Sequence, residues 1–188
     1  NIFQKVSINR CFEEFSKEET LDKDNLWKCS KCHKNIAANN KIEIYQTPKI
    51  LIIQLKRFEN NQKIETFIDF PLKDFDISQF VFPDSKINND IPKKYDLFAV
   101  ANHYGRLEYG HYDAFCLNYI DNNWYNFNDR FVEKIKKEDE NNKIVTKNAY
   151  VLFYRQQKND LIEWELIYNK KFYDINDNNM KKYGEDFI

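Results

Sequence analysis

Apolar positions along this chain fall mostly into short runs and alternations of strand length, with one helical exception near the start. Ser7 followed by Ile8, Cys11, Phe12 and Phe15 sets apolar residues at i, i+3, i+4 and i+7 behind a capping hydroxyl. That pattern predicts a capped amphipathic helix of about three turns, with Glu13, Glu14, Lys17 and Glu18 on its wet side. Residues 41–45 alternate like a strand. After Pro48, the run 50–55, apolar except for Gln54, predicts a fully buried strand that ends at Lys56-Arg57-Phe58. Further strands are expected over 66–70, closed by Pro71, and over 95–101. The runs 111–119 and 123–127 read as a hairpin, and 149–155 as a last central strand.

The intervening segments read as loops. Residues 27–34 form a turn carrying two cysteines, 59–63 a polar loop, and 136–142 a charged loop. Residues 103–110 form a loop with a glycine at each shoulder. Residues 83–94, rich in Asn and Lys without periodicity, read as an exposed insertion. Beyond Gln156 the composition shifts towards Asn, Lys and Asp, which makes 157–188 an extension or a linker. Residues 1–156 are expected to form one domain, or one large part of one.

Composition narrows the class. With 16 Phe and 12 Tyr against 3 Gly and 4 Pro, the chain suits a β-rich globular body. A formal net charge of −1 gives no electrostatic basis for binding nucleic acid or an anionic membrane. The apolar runs are too short to span a bilayer, and residues 1–10 lack the layout of a signal peptide. Four cysteines, only two of them paired in sequence, point to reduced thiols in cytosol or nucleus.

Three places carry candidate chemistry. His111 heads one strand of the expected hairpin, and Asn128-Asp129 close the other, so the turn over 119–123 brings the two ends together. An imidazole serves a nucleophile only if an acceptor holds its second nitrogen. Asn128 offers an amide oxygen for this and Asp129 a carboxylate. Second, Cys29 and Cys32, two residues apart, can both reach one tetrahedral zinc, which would need two further ligands. A metal-free turn and a redox pair are the other readings of that spacing. Third, Cys11 lies in the first turns of the helix, where its thiol pKa would be lowered, yet it shares a face with Phe12 and Phe15, which favours packing. Cys116, between Phe115 and Leu117, reads as core.

Taken in order, several motifs resemble one family. They are Cys11-Phe12-Glu13-Glu14-Phe15, Trp27-Lys28-Cys29-Ser30-Lys31-Cys32, Pro48 through Phe58, and Phe70-Pro71. They continue with Tyr95-Asp96-Leu97, Asn102-His103-Tyr104-Gly105, Gly110-His111-Tyr112, Trp124 through Asp129, and Ala149 through Tyr154. Over residues 7–156 the chain resembles the C-terminal half of the catalytic domain of ubiquitin-specific proteases, papain-like cysteine proteases that remove ubiquitin.

The resemblance implies an α+β fold: an antiparallel palm sheet and part of the fingers, with one N-terminal helix. It implies that His111 is the general base, that Asn128 falls on the third triad position and that Asp129 supports the site. Tyr112, His103, Gly110 and Phe58 fall on the elements bordering the channel for the ubiquitin tail. Cys29 and Cys32 match one knuckle of a structural zinc site, half of its ligands, and no cofactor is implied for catalysis. Ubiquitin or a ubiquitinated protein and the N-terminal half of the same domain are the implied partners. The family's cysteine box is absent, and Cys11 matches a different family cysteine. This chain alone is therefore expected to be inactive, with the nucleophile supplied from outside it. A catalytically inactive ubiquitin-binding pseudo-protease is the alternative.

Overall fold

The computed structural model describes residues 5–22, 24–83 and 91–157. Strand β1 (Val6–Ser7) leads directly into helix α1 (Ile8–Phe15), where Ser7 is the N-cap and its hydroxyl accepts from the Arg10 amide at 3.2 Å. The helix runs for 8 residues, about two turns, so it is shorter than its apolar spacing suggested. Its apolar stripe is only partly used: Ile8 and Phe12 are buried, whereas Phe15 is 55% exposed.

Small two-stranded ribbons follow: β2 (Glu19–Thr20) pairs with β5 (Asn39–Asn40), and β3 (Trp27–Lys28) with β4 (Asn35–Ile36). The two cysteines sit in the turn of that second ribbon. Residues 41–45 do not form the expected strand. Ile44 makes only an isolated parallel bridge to Val81, because its backbone is bonded to Phe80 and Phe82 of an irregular segment.

Strand β6 (Ile50–Gln54) is followed by the ribbon of β7 (Phe58–Glu59) and β8 (Gln62–Lys63). The polar loop over 59–63 is thus a tight hairpin. Asn60 and Asn61 both take left-handed backbone (φ 47° and 62°), a conformation asparagine tolerates and two-residue hairpin loops require. Next come β9 (Ile68–Asp69), parallel to β1, and β10 (Phe75–Asp76).

Long strands then build the sheet: β11 (Lys94–Gly105), β12 (Gly110–Asn118), β13 (Asn123–Asn128), β14 (Phe131–Lys134) and β15 (Ala149–Gln156). Their order is β14-β13-β12-β11-β15-β6, antiparallel throughout, with β10 also paired to β11. Two sequence expectations change here. Residues 103–105 belong to β11, so the loop shrinks to 106–109, and the charged segment after β14 holds a 3-10 turn and helix α2 (Glu140–Ile144).

β6 is at the sheet edge and not fully buried; Ile52 is 60% exposed. An unbroken apolar run does not reveal which neighbour strand is missing, and this is the reason for the difference. One sheet face, carrying Val100, Leu152 and Tyr154, is sealed by Phe12, Phe75 and Ile77. Phe12 contacts Phe75 edge-on at 5.7 Å and stacks on Phe80 at 5.1 Å, so one side chain fastens α1 to the core. Burying such a ring contributes roughly 1.5–3 kcal/mol.

The result is an α+β fold dominated by antiparallel sheet, as the motifs implied. Among the described residues no helix is long and apolar enough to cross a membrane. Of the expected insertion, 84–90 lies outside the described residues, as does the C-terminal extension from residue 158. Gln157 itself is tied in, donating to Asp74 and Asp96.

Candidate active site

The β12–β13 register, with Ala114 opposite Phe127 and Phe115 opposite Asn126, brings the start of one strand beside the end of the other. His111 Nε2 lies 2.7 Å from Asn128 Oδ1. An amide oxygen only accepts, so Nε2 is the donor, and the neutral ring in this orientation has its lone pair on Nδ1. Asn128, not Asp129, is therefore the partner of the ring. Asp129 is exposed, takes left-handed backbone (φ 51°) and occupies the two-residue turn into β14. The backbone geometry of that turn decides between the two acceptors.

Alternation along β12 sends His111, Asp113 and Phe115 to one face and Tyr112 to the other. The Asp113 carboxylate accepts from Asn102 Nδ2 at 2.7 Å, from the Tyr104 hydroxyl at 3.0 Å and from Asn126 Nδ2 at 3.3 Å. Burial, reinforced by the Asp113 carboxylate, pushes the Tyr104 phenol up to about 12. The Tyr104 ring lies 6.4 Å from that of His111, directly opposite it in the β11–β12 register.

On the opposite face, Tyr112, His103 and Phe58 form one ring cluster, with centroids 4.7 Å apart for His103–Tyr112 and 5.4 Å for Phe58–His103. Tyr150 completes it at 5.9 Å from His103 and 6.3 Å from Tyr112. His103 is 3% exposed and Tyr112 56%, so Tyr112 carries the accessible edge. Burial, and then the Lys63 ammonium, hold the His103 imidazole below its usual pKa; Lys63 donates to the His103 carbonyl oxygen. Gly110 adjoins the His103 ring with no room for a side chain.

None of the four cysteines is the hydrogen-bond partner of His111, and none is in a disulfide. Cys116 lies on the opposite face of β12, roughly 17 Å along the strand from His111, and burial raises its thiol pKa. Cys11 lies on α1 beside Arg57; burial raises its pKa, with the guanidinium opposing. This reverses the lowering expected from its helix position. Cys29 behaves differently. The backbone amides of Cys32 and Lys31, then the Cys32 thiol, lower its pKa through hydrogen bonds. A turn whose N–H groups point at sulfur is suited to hold thiolate, so the donor set fits half of a tetrahedral zinc site. Among the described residues, no group of three or more His, Cys, Asp or Glu could hold a metal.

Arg57, Tyr150 and the Asp113 cluster had no assigned role in the sequence. Arg57 is 3% exposed and spans three carbonyls: Nε to Ala149 at 2.8 Å, and Nη1 to Thr66 at 2.6 Å and Ile64 at 3.2 Å. It joins β15 to the segment following β8. Its place at the end of the Pro48–Phe58 motif was the signal available in the sequence.

The sequence profile of the ubiquitin carboxyl-terminal hydrolases matches residues 11–154. Ubiquitin carboxyl-terminal hydrolase 9 of Arabidopsis thaliana is 38% identical over 161 residues, 84% of this chain and 17% of that protein. Ubiquitin carboxyl-terminal hydrolase 4 of Mus musculus is 39% identical over 159 residues, 82% of this chain and 16% of its own length. The chain thus spans about a sixth of these curated relatives. Among solved structures, a chain of the SAGA DUB module of Ubp8, Sgf11, Sus1 and Sgf73 bound to monoubiquitin superposes with a TM-score of 0.65 at 31% identity. That match covers 84% of this chain and 34% of the solved one. By sequence profile and by fold, the chain belongs to the ubiquitin carboxyl-terminal hydrolase family.

Proposed function

We propose that this chain supplies the base half of a thiol-dependent deubiquitinase, acting on the bond after the C-terminal glycine of ubiquitin. The observation that carries the reading is the 2.7 Å contact of His111 Nε2 with Asn128 Oδ1, which turns Nδ1 outward as a ready base. The nucleophile is a cysteine outside this chain. Nδ1 takes the Sγ proton, and the thiolate attacks the glycine carbonyl carbon. The imidazolium then returns that proton to the departing lysine amine, leaving a thioester. Water attacks the thioester with Nδ1 again accepting the proton, and the thiol is released protonated by His111.

Asn128 keeps the ring in the working tautomer without adding charge. Tyr112, at the accessible edge of the ring cluster, lines the channel for the diglycine tail, with Phe58, His103 and Gly110 behind it. A narrow slot between aromatic rings excludes larger residues, giving selectivity by rejection. Cys29 and Cys32 provide two of the four ligands of a structural zinc, completed from elsewhere. Reduced thiols in the ligands and the nucleophile suit cytosol or nucleus.

The test uses ubiquitin carrying a thiol-reactive C-terminal warhead. Intact-mass analysis of this chain alone is expected to show no adduct, and the complete enzyme one adduct on a cysteine outside it. In the complete enzyme His111→Ala abolishes hydrolysis while ubiquitin affinity stays nearly intact. An adduct on Cys11, or hydrolysis that survives the loss of His111, would overturn the assignment. Ubiquitin binding without any adduct in the complete protein would establish the pseudo-protease instead.

A further inference from the structure

We infer that Asp113 is a positioning residue for the His111–Asn128 pair, acting through Tyr104 on one side and Asn126 on the other. This rests on the base-half reading above. Asp113 sits on the same face of β12 as His111, two residues away, and the β12–β13 register continued by one step sets it opposite Asn128. Its carboxylate bonds to both flanking strands at once: Asn102 and Tyr104 on β11, and Asn126 on β13.

The two outer contacts reach residues next to the reacting pair. Tyr104 is paired with His111 across β11–β12, and its ring lies beside the imidazole. Its hydroxyl is fixed on Asp113 Oδ2, so the phenol has one orientation and offers the imidazole a fixed wall. Asn126 precedes Asn128 by two residues on the same face of β13. All three partners are donors, and an ionised carboxylate is an acceptor only, so the match is complete. An asparagine at 113 would turn an amide N–H₂ towards at least one of those donors. Tyr104 stays a neutral donor because its phenol is held at about 12.

A carboxylate that merely stitched strands together would influence folding and leave the chemistry alone. The experiment separates the two roles. In the complete enzyme, with ubiquitin bearing a fluorogenic C-terminal amide, Asp113→Asn should lower kcat by about tenfold and leave KM within about twofold. Tyr104→Phe should do the same, and the double variant should be no slower than the slower single one. The second measurement needs no activity. In this chain, ring N–H signals of His33, His103 and His111 can be followed by NMR, and Asp113→Asn should move that of His111 while His33 stays fixed. An unchanged kcat, additive effects of the two substitutions, or an unmoved His111 signal would overturn the inference. If instead His111→Ala left hydrolysis intact, the base-half reading itself would fail. Loss of activity in His111→Ala with none in Asp113→Asn would sink only the role of Asp113.

Discussion

The imidazole of His103 occupies the space into which a side chain on Gly110 would project. A Cβ at that position would meet His103 Nε2 well inside contact distance and the Tyr104 carbonyl oxygen at 2.8 Å. The glycine before His111 is therefore required by packing across the β11–β12 pair; its backbone is not in the left-handed region, unlike that of Gly105 (φ 99°). Gly110→Ala must push His103 or the start of β12 aside. We expect a stability loss of about 1–3 kcal/mol from overpacking, together with loss of hydrolysis in the complete enzyme. Urea denaturation and turnover of the same variant check both. A folded, fully active Gly110→Ala enzyme would show that the contact does not position His111.

Removing the acceptor, Asn128, should be milder than removing His111 itself. Asn128→Ala keeps the imidazole but frees its Nε2–H, so the wrong tautomer and wrong rotamers become populated. Loss of His111 is expected to leave no detectable hydrolysis, a fall in kcat of at least the general-base contribution of about 10²–10⁴-fold. Loss of Asn128 should cost about 10–100-fold, as expected for a misplaced catalytic group. Asp129→Ala, in the exposed turn, should change kcat less than either. Steady-state kinetics on the three variants of the complete enzyme decide the order. Equal loss at Asp129 and Asn128 would contradict the geometry.

Much of this arrangement was legible in the sequence wherever one short segment carried the whole signal. Ser7 and the spacing of Ile8, Cys11 and Phe12 placed α1, and the alternation on either side of residues 119–123 placed the hairpin. The neighbourhood of His111 and Asn128 followed from that hairpin alone. What stayed hidden depended on residues far away. Arg57 bonds Ala149, 92 positions on, and Tyr150 joins the His103 cluster from β15. α2 buries only Ile144, and β14 has no buried residue, so neither left an apolar stripe to read. The choice between Asn128 and Asp129 turned on the left-handed backbone of Asp129, which a sequence does not display.

Arg57 is predicted to be irreplaceable by lysine. Its guanidinium reaches the carbonyls of Ala149, Ile64 and Thr66 from two nitrogens in a fixed plane. Arg57→Ala strands three acceptors in a buried site, at roughly 1–3 kcal/mol for each that water cannot reach. A single ammonium cannot span the same set, so Arg57→Lys should recover little of the loss. Chemical denaturation of both variants measures this. Near-complete recovery with lysine would mean that charge alone matters there.

The knuckle should bind metal through thiolate. Hydrogen bonds from the Cys32 and Lys31 amides already favour the ionised form of Cys29. In the complete enzyme, Cys29→Ser or Cys32→Ser should reduce zinc content measured by elemental analysis and lower the thermal midpoint, while His111 chemistry in the surviving folded fraction is unchanged. Full zinc content in both variants would exclude these two residues as ligands.

Mild acid should destabilise the fold through His103. Burial holds His103 below its usual pKa, with Lys63 adding to the effect, so the fold favours the neutral ring. The unfolded chain takes up a proton near the ordinary value of about 6.5. In the interval between the folded and unfolded values, the unfolded state binds more protons, and stability must rise with pH. The contribution of His103 is thus fully present above about pH 6.5 and is lost as pH falls towards its folded value. Depressed carboxylates such as Asp76, held down by Ser78, act in the same direction at a lower pH, below the usual aspartate range. Thermal unfolding of this chain from pH 7.5 to 5 should therefore show a falling midpoint in wild type and a flatter profile in His103→Gln. The glutamine variant starts from a lower midpoint because it loses the contacts with Phe58, Tyr112 and Tyr150, but its slope over that interval is the informative quantity. Parallel slopes in the two proteins would mean that His103 is protonated in the fold as readily as out of it.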